Sequence, residues 1–80
     1  MDRAEVLSRL EDIFADVMDI DAPGLTEASK ADDFEEWDSL SNIRFVVAVE
    51  RGFKVKFTNS EIEGMKNVGD LVTTILAKAG

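Results

Sequence analysis

Ser39 directly follows Asp38 where a polar stretch gives way to a helical apolar pattern. A hydroxyl at such a place can carry a phosphate ester, because a helix start offers amide donors and the positive end of the helix dipole. Asp38 has the acceptor side chain of an N-cap. The pair also fits an ordinary helix start, where serine is common anyway. Other chemistry is sharply limited. Cysteine, histidine and tyrosine are absent, which excludes disulfides, thiolate or imidazole metal ligands and every Ser-His-Asp arrangement. A calcium loop at Asp19, Asp21 and Gly24 fails, since Pro23 and Lys30 stand where ligands belong. Two convergent acids in a cleft find little room in 80 residues. The chain is therefore expected not to be an enzyme, and no metal site is expected.

The elements that must position these residues share one small domain, residues 1–80, with room for one core. Net charge is −8, with 13 acids and 3 bases in residues 1–38 against 4 acids and 6 bases in residues 39–80. That surface repels phosphate backbones and anionic lipid, so neither nucleic acid nor membrane is an expected partner. The start, Met1-Asp2-Arg3-Ala4-Glu5, lacks the basic and apolar regions of a signal peptide, and a cytoplasmic monomer is expected.

In residues 2–19, Val6, Leu7, Leu10, Ile13, Phe14, Val17 and Met18 form one helical stripe. Residues 20–38 have no sustained period, contain Pro23-Gly24 and an acidic run, and predict a long loop pinned by Ile20, Leu25 and Phe34. So long a loop is functional or carries a short turn of its own. A second helix is predicted over 39–51, closed by a left-handed Gly52 with Phe53 as the following apolar contact. The alternation Phe53-Lys54-Val55-Lys56-Phe57 lacks a partner strand and predicts an extended connector. Thr58-Asn59-Ser60-Glu61 fits a capping box before a short helix with Ile62 and Met65 inward. Asn67 caps a last helix striped by Val68, Leu71, Val72, Ile75 and Leu76. The expected fold is all-α, a small four-helix bundle of three long helices, one short helix and a long first loop.

The second helix bears two stripes. Phe45, Val46, Val49 and Phe53 fall in one sector; Leu40, Ile43 and Val47 fall in another, roughly 140° away. The first stripe suffices to anchor the helix. The second either packs beneath the loop or forms an exposed docking surface.

Trp37-Asp38-Ser39-Leu40, set between an acidic loop and an apolar helix, resembles the attachment motif of acyl carrier proteins. The likeness continues through Ile43, Phe45, Val46, Val49, Glu50 and Phe53 to Glu61-Ile62 and Asn67-Val68-Gly69-Asp70-Leu71. The resemblance implies that a phosphopantetheinyl transferase, using coenzyme A and magnesium, joins a 4′-phosphopantetheine arm to Ser39, with Asp38 assisting. It implies an arm whose thiol carries acyl thioesters to acyl-loading and acyl-processing enzymes. It also implies partner contacts at Leu40, Ile43 and Val47.

Carriers of fatty-acid synthesis usually have glycine where this chain has Glu36, and acids on the partner face where it has Ser41 and Arg44. Arg51 lies further along that face, and helix 39–51 sums to +1. These departures and Trp37 resemble stand-alone carriers of specialised acyl or polyketide-like pathways, with Arg44 and Arg51 bordering the partner. A peptidyl carrier usually shows two glycines before the motif, against Glu35-Glu36-Trp37 here. An unmodified helical interaction domain is the alternative of a different class.

Overall fold

The structure, a computed structural model, describes residues 2–79. It is all-helical: α1 (Arg3–Met18), α2 (Ser39–Phe53), α3 (Asn59–Gly64) and α4 (Val68–Ala79). A 3-10 turn at Ala31–Asp33 supplies the local structure that the first loop needs. No strand forms among the described residues.

Helix α1 starts where the Asp2 carboxylate accepts the Glu5 amide at 2.8 Å, and ends at a left-handed Asp19 with φ 56°. Its Val6, Leu10, Phe14 and Met18, four residues apart, present one buried face to α2 and α4. Helix α2 answers with Phe45, Val46, Val49 and Phe53; α4 answers with Val68, Leu71, Val72 and Ile75. Each of these side chains stabilises the fold by about 1.5–3 kcal/mol on full burial, set against the entropy of ordering the chain.

The long loop is bound into this core rather than draped over it. Leu25 is buried, and its amide donates to the Glu11 carboxylate at 2.8 Å. Ile20 and Phe34 pack half-buried against the core, as their pattern predicts. The loop also completes α4: the Ser29 and Glu27 carbonyls accept the Val68 and Gly69 amides at 2.9 and 2.8 Å. Gly69 is required by that approach, because a Cβ there would lie 3.1 Å from the Glu27 carbonyl oxygen. Arg3 fastens the corner by pairing with Glu27 and donating to Thr73 Oγ1 at 3.0 Å. Asn67 caps α4 through the Asp70 amide at 2.9 Å.

The end of α2 corrects the sequence reading. The helix runs to Phe53, and Lys54, not Gly52, takes the left-handed closing conformation with φ 57°. Gly52 instead faces α1, where a Cβ would meet Ile13 Cδ1 at 2.9 Å, and its carbonyl accepts from Arg9 Nη2 at 3.1 Å. Close helix packing, rather than a turn, uses this glycine. A lysine in the left-handed region costs about 1 kcal/mol more than glycine. Lys54→Gly is therefore expected to raise stability by about 0.5–1 kcal/mol in urea unfolding. A loss of stability instead would show that the lysine stem packs at this corner.

The connector is shorter than its predicted span from Phe53, since Phe53 is still helical and Lys54 is left-handed; residues 55–57 form no helix or strand, and the Phe57 amide donates to the Glu50 carboxylate at 2.8 Å. Thr58 and Glu61 form the predicted capping box, with reciprocal bonds of 3.1 and 2.8 Å. Helix α3 buries no residue fully; Met65 packs half-buried on the core and Ile62 is half-exposed. Its position is held by the cap and by an ion pair from Glu61 to Lys78 on α4 at 3.0 Å.

Candidate functional site

The site is the junction between the loop and α2. Asp38 is extended and its Oδ1 accepts the Ser41 amide at 2.9 Å, while its carbonyl accepts the Asn42 amide at 2.8 Å. This is the N-cap expected of it, and it leaves Ser39 as the first helical residue, exposed to solvent. The Ser41 amide bond holds the Asp38 carboxyl below its ordinary value. The sign follows: a depressed acid stabilises the cap above its unfolded pKa, near 3.9, and that contribution fades as pH falls through the folded value. An NMR titration of the Asp38 carboxyl is expected to give a midpoint below 3.9, and a midpoint at or above it would mean the cap is not formed in solution.

Trp37 fixes the junction from the loop side. Its ring lies 5.0 Å from Phe14 and 5.7 Å from Phe45, both edge-on, in a cluster completed by Phe34. Its ring N–H donates to Asn42 Oδ1 at 2.9 Å, one turn into α2. Neither Trp37 nor Asn42 was assigned a positional role from sequence. The available signal is the set of six aromatics, Phe14, Phe34, Trp37, Phe45, Phe53 and Phe57, but nothing local shows which of them meet.

The second stripe of α2 is exposed: Leu40 at 69%, Ile43 at 61% and Val47 at 40%. Core beneath the loop is thereby excluded for it, and an apolar strip runs down α2 from Ser39. Arg44 and Arg51 are exposed on the same helix. Between α2, α3 and α4 lies a cavity of about 130 Å³ walled by Trp37, Asn42, Val46, Ile62, Met65 and Leu71 among others. For scale, an apolar cavity of about 150 Å³ admits benzene.

An exposed hydroxyl at a capped helix start, next to an apolar strip, is fit to hold an anionic ester within reach of docking proteins. The comparisons identify the class. Over residues 8–75 the chain matches the phosphopantetheine attachment site family, and so it carries a covalently attached 4′-phosphopantetheine. Relatives narrow this further. The chain is 32% identical to the acyl carrier protein of Thermotoga maritima, covering 98% of this chain and 96% of that protein. It is 36% identical to that of Clostridium acetobutylicum, over 90% and 94% respectively. The solution NMR structure of holo acyl carrier protein from Geobacter metallireducens superposes with a TM-score of 0.86 at 40% identity, covering 91% of this chain and 84% of that one. The chain belongs to the acyl carrier protein family. It is a carrier rather than a catalyst, and its partners include a phosphopantetheinyl transferase and acyl-processing enzymes. No helix among the described residues is long and apolar enough to cross a membrane.

Proposed function

We propose that Ser39 bears the arm and that the chain, as one carrier domain over residues 1–80, presents acyl thioesters to enzymes docking on Leu40, Ile43 and Val47. The observation that carries this reading is the solvent-exposed Ser39 hydroxyl at the start of α2, held in place by the Asp38 cap and flanked by exposed Leu40. When bound, the arm supplies a thiol that holds acyl groups. The residues of the chain do the rest. Asp38 shapes the helix start and is placed to assist the metal-dependent attachment, Trp37 and Asn42 hold the loop against it, and the apolar strip receives partners. The test is intact-mass measurement after incubation with coenzyme A and a broad-specificity phosphopantetheinyl transferase. An unchanged mass would overturn the assignment of the arm to Ser39.

We further propose a specialised acyl or polyketide-like pathway, with the chain working as a monomer in the cytoplasm. Glu36 before the motif and the cations Arg44 and Arg51 on the partner side of α2 support this choice of pathway. Arg44 lies on the helix surface beside Leu40 and Val47, three or four residues from each, so it borders any protein docked on the strip. Like charges brought together at such an edge cost up to several kcal/mol when desolvated and less when wet. Arg44→Glu is therefore expected to speed loading by enzymes that serve acidic carriers and to slow the cognate partner. Acyl-transfer rates at two salt concentrations measure this. Equal rates for both forms at low salt would place Arg44 outside the interface.

A further inference from the structure

Past the apolar strip, α2 and the connector enclose an open groove of about 620 Å³ lined by Val47, Glu50, Arg51, Lys54, Val55 and Lys56. We propose that this groove receives an acidic, partly apolar segment of a partner protein, extending the docking surface beyond α2; the proposal rests on the carrier reading above.

Charge complementarity is the first ground. Three cations gather here on a chain of net charge −8. Arg51, Lys54 and Lys56 are exposed, and among the described residues none of them pairs with a carboxylate. The groove's one acid, Glu50, already accepts the Phe57 amide at 2.8 Å. An unneutralised cluster of this kind attracts anionic groups and repels cationic ones. Two valines, Val47 and half-buried Val55, give it an apolar floor, so a bare anion would leave that surface unused.

The second ground is Lys54 itself. It closes α2 at φ 57°, where glycine is the residue of least strain, and glycine stands only two positions earlier. A strained backbone position kept by a charged residue points to a use for the charge. The third ground is continuity. Val47 belongs both to the exposed strip and to the groove, so a protein seated over Leu40 and Ile43 reaches the cations without leaving the surface. Ser39 and Lys54 lie about 22 Å apart along the helix axis, at about 1.5 Å per residue. The partner thus meets the arm at one end of α2 and the cations at the other, and that polarity fixes the direction in which it docks.

The test titrates the 15N-labelled full chain with a synthetic amphipathic peptide of leucines and glutamates, and with the same peptide carrying lysines in place of glutamates. The acidic peptide is expected to shift the amides of Val47, Arg51 and Val55, with an affinity that falls as salt rises. Arg51→Gln, Lys54→Gln and Lys56→Gln combined should weaken it at least tenfold while the remaining amide spectrum stays folded. The lysine peptide, drawn if anywhere to the acidic first half of the chain, should leave the amides of Val47, Arg51 and Val55 unmoved. Equal binding of both peptides at those amides, no binding of either there, or undiminished binding by the triple variant would overturn the proposal. Inorganic phosphate producing the same shifts would mark a small-anion site and overturn it too. The carrier reading is judged separately on the unsubstituted chain, by its mass gain with coenzyme A and the transferase whether or not the groove takes a peptide, so failure of the groove and failure of the carrier reading give different results.

Discussion

Ser39→Ala remains folded and accepts no arm: intact-mass spectra after incubation with coenzyme A and transferase show one unshifted species, while the unsubstituted chain moves completely to the heavier one. The contrast is large because the two roles of the residue separate cleanly. Ser39 is exposed at the first position of α2, and the cap bond to the Ser41 amide comes from Asp38. Removing the hydroxyl therefore changes local propensity alone, by a few tenths to about 1 kcal/mol. The melting temperature moves little and the ester loses its only oxygen. A mass gain that survived in Ser39→Ala would assign the arm to another hydroxyl. Ser41 is the control to inspect, being two residues on and only half-exposed.

Phe14→Ala is expected to be the most damaging single truncation. The ring is fully buried, and three other rings surround it: Phe34 and Trp37 at 5.0 Å and Phe45 at 5.3 Å, all edge-on. Deleting a buried phenylalanine costs about 3–5 kcal/mol from lost burial and the cavity left behind. Each edge-to-face pair adds about 0.5–1.5 kcal/mol, though the pairs share one ring and do not sum. A domain of this size has about 4–12 kcal/mol in all, so the variant is at or near the edge of folding. Urea titration followed by circular dichroism measures the loss. A cost under about 1.5 kcal/mol would mean that the loop aromatics collapse into the vacancy, since the penalty depends on how far a site can relax.

Helical periodicity alone located α1, α2 and α4, because their apolar residues recur at three and four and bury where that spacing puts them. The caps were equally plain: Asp38, Thr58 with Glu61, and Asn67 act within three residues of themselves. What failed was tertiary. Gly52 has the residue type of a helix terminator, and only the approach of Ile13 from another helix reveals its use. The Phe45 sector of α2 anchors the helix as its pattern suggests, but whether the long loop also covers Leu40, Ile43 and Val47 depends on where that loop runs, and that is absent from the helix's own sequence. The Glu27 and Ser29 carbonyls that finish α4 are invisible for the same reason, being backbone groups of any residue at that point in the loop. Of the site, Asp38 and Ser39 came from a local cap and a family likeness, whereas Trp37 and Asn42 required the fold.

Trp37 is the chain's only tryptophan, and there is no tyrosine. Light at the red edge of indole absorption therefore excites one chromophore, whose ring packs against Phe14 and whose N–H is held by Asn42 in α2. The same ring walls the cavity between α2, α3 and α4. The molecule thus has a built-in optical gauge at the joint between the long loop and α2. Emission wavelength and lifetime report on that joint in the native chain, with no dye attached to its surface.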